Sequence, residues 1–217
     1  MSSTQKSLTS IVHFAFSWWP NCTGVGNTTE LTPQQSNEFI CVFPHCCPTD
    51  VFLLGPVWVT CPYVERDGQF NPDFRTVNNT GAFSAMSDAV FSNAMAWVIN
   101  GSSVYAENVA NWINTWFLAS DTYMNPNLNY AQVIRGPGAN IGAHTGVLDL
   151  KCMAKVVSAV LILRGGNASE WTETIDSGLV NWTTTYIGWL TTNTIALQEA
   201  AAPKCVILSR ITSTYPD

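Results

Sequence analysis

From about residue 80 to residue 202, apolar side chains recur every three or four positions, broken by glycine stops and one long polar loop. That period belongs to amphipathic helices and leaves little room for a sheet. In the first segment Ala82, Met86, Ala89, Val90, Asn93, Met95, Trp97 and Val98 trace it. The stretch "NGSS" at 100–103 then supplies a glycine stop and a serine cap for the next helix. The segment 103–118 puts Val104, Val109, Trp112, Ile113, Trp116 and Phe117 on one broad face. A third apolar segment ends at Gly165 and Gly166. A fourth runs through Trp171, Ile175, Leu179, Trp182, Tyr186 and Trp189, with Asn167 or Ser169 expected as its cap. Its threonines lower helix propensity and blur its ends. Helical hairpins packed in series follow from this pattern, an all-α arrangement of the α/α toroid kind.

The rest of the chain reads differently. Residues 1–79 are rich in Pro, Gly, Asn and Thr and form an irregular arm, within which the Cys-dense segment 36–56 has no clear period. The helical domain is expected over 80–202, and an atypical tail over 203–217 starts at a proline that cannot continue a helix. Between two apolar helices lies "DTYMNPNLNYAQVIRGPGANIGAHTG" (121–146), dense in amides and holding a Tyr, an Arg and a His. Such a loop can line a binding wall for a hydroxyl-rich, anionic ligand. Asn125 and Asn129 could equally close the loop through Asx turns.

Composition narrows the function classes. Charged residues make up only 11% and the net charge is −6, which argues against a general nucleic-acid binder. Low charge with abundant Asn and Thr suits an extracellular protein. N-x-S/T sequons at Asn21, Asn27, Asn78, Asn100, Asn167 and Asn181 agree weakly with that. The first twenty residues make a poor signal peptide, and no apolar run reaches membrane-spanning length. Seven cysteines leave at least one unpaired within the chain, and their spacing fits no zinc pattern. Cys22 and Cys61 flank a loop-like region and could pair in an oxidising compartment. No metal or organic cofactor is implied. Nine tryptophans are core material in the plain reading, though flat aromatic faces also suit sugar rings.

Three ordered stretches carry a resemblance. "SWWPNCTGVGNT", "CPYVERDGQFNPD" and "MNPNLNYAQVIRGPG" followed by "GAHTGVLDL" resemble the alginate lyase domain family, especially its fungal members. The likeness covers 17–35 and then 57–202. It implies an incomplete α/α toroid with a long irregular N-terminal arm, an extracellular location, and β-elimination on uronic-acid polymers such as alginate or glucuronan. That reaction requires neutralising the carboxylate beside C5, removing the C5 proton, and protonating the leaving glycosidic oxygen. Arg, His and Asn side chains supply the neutralisation as donors aimed at the carboxylate. The candidate substrate-binding residues are Trp18, Trp19, Arg66, Asn127, Asn129, Tyr130, Gln132, Arg135 and His144. Plainer readings stand beside them: Trp18 and Trp19 as core, Arg66 with Asp67 as a turn ion pair, His144 as a helix-start residue. Asp149 reads as a buried partner for an Arg or an amide.

In the family, the segment resembling "TIALQEAAA" leads into an Asn-Asn-His-Gly stretch of the catalytic centre, and a catalytic Tyr follows later. Here "PKCVILSRITSTYPD" stands instead, so no catalytic residue is assigned. The expectation is a truncated product, with 36–56 and 203–217 as translated intron or frame-shifted sequence. A non-catalytic carbohydrate-binding protein and an unstable helical fragment with exposed apolar faces are the alternatives. A glycosidase would need two paired carboxylates, and nothing in the spacing of Asp73, Asp88, Asp121 and Glu199 pairs them.

Overall fold

The computed structural model describes residues 15, 17–21, 23, 61–66, 68, 69, 71, 79–137 and 141–202. The segments 36–56 and 203–217 lie outside these, as do Cys22 and Asp67. Two short strands, β1 (Trp18–Pro20) and β2 (Tyr63–Glu65), precede a mostly helical remainder, as the all-α reading expects. The helices are α1 (Asn79–Asn100), α2 (Ser103–Ile113), α3 (Met153–Gly165), α4 (Glu173–Thr192) and α5 (Thr194–Ala200). Among the described residues no helix is long and apolar enough to cross a membrane. The described residues divide into two compact units, one from 80–128 and 147–202, the other from 15–79 and 129–146.

In the helical unit, α1 and α2 form an antiparallel hairpin. Gly101 adopts φ +72° at the turn, a conformation cheap only without a Cβ, and its N–H reaches back to the Trp97 carbonyl at 2.8 Å. Side-chain pairs fix the direction: Asn108 donates to Asn93, and Phe83 meets Trp116 and Phe117 edge-on. Beyond Ile113 the helix widens into one π turn, Asn114–Leu118, where the Ala119 N–H bonds five residues back to Asn114. Helices α1 and α3 run the same way, because Ser84 meets Cys152, Asp88 pairs with Lys155, and Trp97 packs on Gly166.

The core stripe of α1 is Phe83, Met86, Val90 and Ala94, and that of α2 is Ala106, Val109, Ala110 and Ile113. The stripes expected from sequence are therefore partly rotated. Met95 and Val98 of α1 and Val104 and Trp112 of α2 are exposed, because Phe83 and Phe117 set which face turns inward. In α4 the expected Leu179, Trp182 and Tyr186 are buried. Trp182 stands edge-on to Phe117 and donates its indole N–H to the Met124 carbonyl at 2.6 Å, so its one polar atom is satisfied. Burial pushes the Tyr186 hydroxyl far above its ordinary pKa, leaving it neutral.

The caps of the last helices correct the sequence reading. The α4 cap is Thr172, whose hydroxyl accepts the Ile175 N–H, because Asn167, Ala168 and Ser169 are still in the turn leaving α3. A second cap, Asn193, takes the Ile195 N–H at 2.9 Å and separates α5 from α4. The threonines of α4 remain helical because hydroxyls such as those of Thr184 and Thr192 return to carbonyls four residues back.

At the α3–α4 turn, Asp176 accepts from Arg164 and, at 2.6 Å, from the Trp171 indole. Burial alone pushes the Asp176 carboxyl up, but these two hydrogen bonds with the Arg164 charge outweigh it and hold the group below its ordinary value of 3.8. A carboxyl depressed on folding stabilises the folded state above its unfolded pKa, and that contribution fades as pH falls through the folded value. Denaturant melts should therefore show Asp176→Asn less stable than the parent at neutral pH, with the gap closing as pH drops below 3.8.

The second unit depends on a close backbone approach. A Cβ built on Gly142 or Gly146 would collide with the Ala131 carbonyl oxygen. Both contacts are to backbone, which cannot step aside. Gly146→Ala and Gly142→Ala should each lower stability by about 1–3 kcal/mol through overpacking, read as an earlier denaturant midpoint. Gly165→Ala, where a Cβ meets nothing within 4 Å, should be close to neutral in the same assay.

Candidate functional site

The candidate polar residues of the second unit sit on two pieces, a hairpin and a loop. The hairpin pairs β1 with β2 antiparallel, Trp18 opposite Glu65, Trp19 opposite Val64 and Pro20 opposite Tyr63. Backbone bonds extend the ladder at both ends, from Arg66 N–H to the Ser17 carbonyl and from Asn21 N–H to the Pro62 carbonyl, each 2.8 Å. Past β2 the chain turns at Gly68, φ +72°, with the Gln69 N–H on the Arg66 carbonyl. This turn carries the Gln69 carbonyl back to the Trp19 indole N–H, 3.2 Å away. The ring thus held lies under the Arg66 guanidinium, whose carbon is 5.3 Å from its centroid. Such a cation–π contact contributes about 0.5–1 kcal/mol at an exposed site and, more usefully here, orders a long side chain. Asn71, buried, donates its amide to the Trp18 carbonyl at 2.9 Å and pins the same strand from below.

Trp18 and Trp19 are half-buried and Arg66 is exposed. Neither indole is core. Both residues are partly covered, and Arg66 presents its charge over the Trp19 ring. A guanidinium braced on an indole suits a sugar carboxylate, since its planar fork donates to both oxygens while the ring covers apolar C–H groups.

The described parts of the loop, 129–137 and 141–146, fold back on each other. The Ala143 N–H bonds to the Ala131 carbonyl at 3.1 Å, and the Gly142 N–H bonds to the Asn129 carbonyl. Gln132 adopts φ +51°, an unusual conformation for a side chain of its size. Two bonds with Thr145 hold it there, the Thr145 hydroxyl donating at 2.7 Å and the Gln132 amide donating to the Thr145 carbonyl at 3.3 Å. This closure leaves Tyr130 45% exposed and His144 exposed at the start of a 3-10 turn, His144–Leu150. Loop and hairpin join through the Ala15 N–H on the Val133 carbonyl, and through Gly136, φ +132°, passing close to the Cys61 carbonyl.

Of the nine sequence candidates, the structure places Trp18, Trp19 and Arg66 on the hairpin and Asn129, Tyr130, Gln132, Arg135 and His144 on the loop of this one unit. Arg135 is buried, 6% exposed, with its guanidinium 4.8 Å over the Tyr63 ring, so it braces the hairpin against the loop from inside. Gln132 is likewise engaged with Thr145. Asn127 lies in the helical unit, where its N–H closes a turn onto the Asn125 carbonyl. Asp149 is buried, as expected. Cys61 is disulfide-bonded, while the expected partner Cys22 lies outside the described residues. Cys152 is a free thiol. Sequence reasoning missed Gln69 and Asn71, which hold the tryptophans, and Tyr63 beneath Arg135. "RDGQFN" does show a turn followed by amides, which was the available signal. Among the described residues no three His, Cys, Asp or Glu side chains cluster as metal ligands would.

The helical unit holds a separate depression of about 400 Å³, lined by Leu163, Arg164, Asn167, Trp171, Glu173 and Asp176 among others. Its Arg164 is already paired with Asp176, and Glu173 adds a second negative charge. An anionic sugar would meet no surplus positive charge there.

No curated protein matches the chain significantly. A crystal structure of an alginate lyase from Bacteroides ovatus is similar in fold, with a TM-score of 0.64 at 24% identity. The superposition covers 93% of this chain and 44% of that one, so this chain spans under half the length of the solved structure. The Alginate lyase family matches residues 29–204, a range that takes in most of the hairpin-and-loop unit and the whole described helical unit. With the three ordered motifs and a mostly helical fold, this extent of match establishes that the chain belongs to the alginate lyase family.

Proposed function

We propose that this chain is part of an extracellular polysaccharide lyase acting by β-elimination on a uronic-acid polymer such as alginate or glucuronan, and that its hairpin-and-loop unit grips the acidic sugar. The observation that carries this reading is the Arg66 guanidinium stacked on Trp19, exposed, in the same unit as the exposed Tyr130 and His144. Arg66 answers the uronate carboxylate, and drawing charge off that group is what makes the neighbouring C5 proton removable. Trp19, on the same face of the hairpin as Arg66, covers the apolar side of a ring, while Trp18, its neighbour along β1, faces the other way. Tyr130, His144 and Asn129 offer hydrogen-bonding groups for hydroxyls. The order imposed by Gln69, Asn71 and the Gln132–Thr145 pair reduces the entropy lost on binding.

What the described residues of this unit account for is the grip on the acidic sugar, and none of them is assigned a proton transfer. Calorimetric titration with oligoalginate or oligoglucuronate, paired with absorbance of the unsaturated uronate product, tests both halves. The expected outcome is measurable binding of the acidic oligosaccharide, with any unsaturated product marking β-elimination. Arg66→Ala should weaken that binding by about tenfold, some 1.4 kcal/mol, while a neutral glucan of equal length binds poorly to both proteins. Equal affinity for neutral and acidic polymers, or an unchanged affinity in Arg66→Ala, would overturn the reading.

A further inference from the structure

Three of the six sequons lie in the helical unit, and the structure separates them sharply. Asn100 is the last residue of α1 and is exposed. Gly101 follows at φ +72° with nothing within 4 Å of where a Cβ would stand. Ser102 caps α2 in an extended conformation, without a side-chain cap bond that would tie up its hydroxyl. Asn167 is exposed in the turn after α3 at φ +54°, and Ser169 beside it is exposed as well. Asn181, by contrast, sits in the middle of α4. The next residue, Trp182, is buried on Phe117, and the Thr183 hydroxyl is spent on the carbonyls of Leu179 and Val180.

The two open sequons are also neighbours. Trp97, one turn before Asn100, packs its ring where a Cβ on Gly166 would sit, and Gly166 immediately precedes Asn167. The ends of α1 and α3 therefore meet, and both asparagines emerge from the same end of the helical unit. Asn167 in addition stands on the rim of the depression beside Trp171.

We infer that Asn100 and Asn167 are paired N-glycan attachment sites on one end of the helical unit, and that Asn181 stays unmodified. The acceptor group is the asparagine carboxamide, and the co-substrate is a polyprenyl-pyrophosphate-linked oligosaccharide. The amide Nδ2 forms a bond to the sugar C1, and the C1–O bond to pyrophosphate breaks. The lipid pyrophosphate leaves with the electron pair, and the amide proton passes to a carboxylate of the transferase. The transferase must bind the asparagine and the hydroxyl two residues on together, which a turn or a helix end running into one permits and the packed interior of a helix forbids. A hydrated glycan at either turn adds bulk outward and disturbs no buried side chain.

In nature this rests on the proposal that the chain works outside the cell. The test separates the two, because a leader forces entry to the secretory pathway whatever the native location. The full chain behind a yeast secretory leader is recovered from both the membrane fraction and the medium, so that export is not required. It is treated with peptide N-glycosidase in heavy-oxygen water and mapped by mass spectrometry. Occupancy several-fold higher at Asn100 and Asn167 than at Asn181 is expected. Asn100→Gln and Asn167→Gln should each remove one glycan-sized step in gel mobility, and Asn181→Gln none. Occupancy of Asn181 equal to that of the two turns, or bare Asn100 and Asn167 in protein modified at other sequons, would overturn the inference. So would a chain that enters the pathway and carries no glycan at all.

Discussion

The approach of Gly142 and Gly146 to the Ala131 carbonyl is the constraint on which the polar unit depends. A side chain at either glycine would occupy the space of that backbone. Because they are bare, the loop folds flat upon itself and the Ala143 N–H finds the Ala131 carbonyl. Gln132 is then driven into a left-handed conformation and tied to Thr145. Strain in one residue is balanced by two side-chain hydrogen bonds and a close-packed backbone crossing. The result is a loop whose exposed Tyr130 and His144 project from an ordered base rather than from a long structureless connection.

A parallel logic governs the hairpin. Three residues on each strand make a weak sheet by themselves. Asn71 pins Trp18 from within, Gln69 fixes the Trp19 ring from the following turn, and buried Arg135 over Tyr63 ties the hairpin to the loop. Polar groups are thus divided between those that hold the unit together and those left to meet a ligand. Arg66 belongs to the second group, exposed yet ordered by the indole beneath it.

How much of this was legible in the sequence follows from which interactions are local. The period of α4 was readable because Leu179, Trp182 and Tyr186 repeat along one helix and all turn inward. The inward faces of α1 and α2 were only partly legible, since a sequence stripe says that a face is apolar and not which part of it a neighbour covers. Met95, Val98, Val104 and Trp112 continue the pattern and face outward. The cap of α4 at Thr172 in place of Asn167 or Ser169 is a competition among three good capping residues, decided by the turn after Gly166. In the site, the ordered motifs identified Trp19 and Arg66, but nothing in the sequence shows one stacked on the other. The glycine-to-Ala131 crossing joins residues more than ten positions apart and leaves no periodic trace.

The central claim is that the hairpin and the loop, ordered in advance, form the surface that meets a uronate. Hydrogen–deuterium exchange with and without saturating oligouronate tests it most directly. The account predicts slowed exchange in peptides spanning 63–69 and 129–146, with little change in α3 or α4. Protection confined to the helices, with the hairpin and loop exchanging as before, would contradict it.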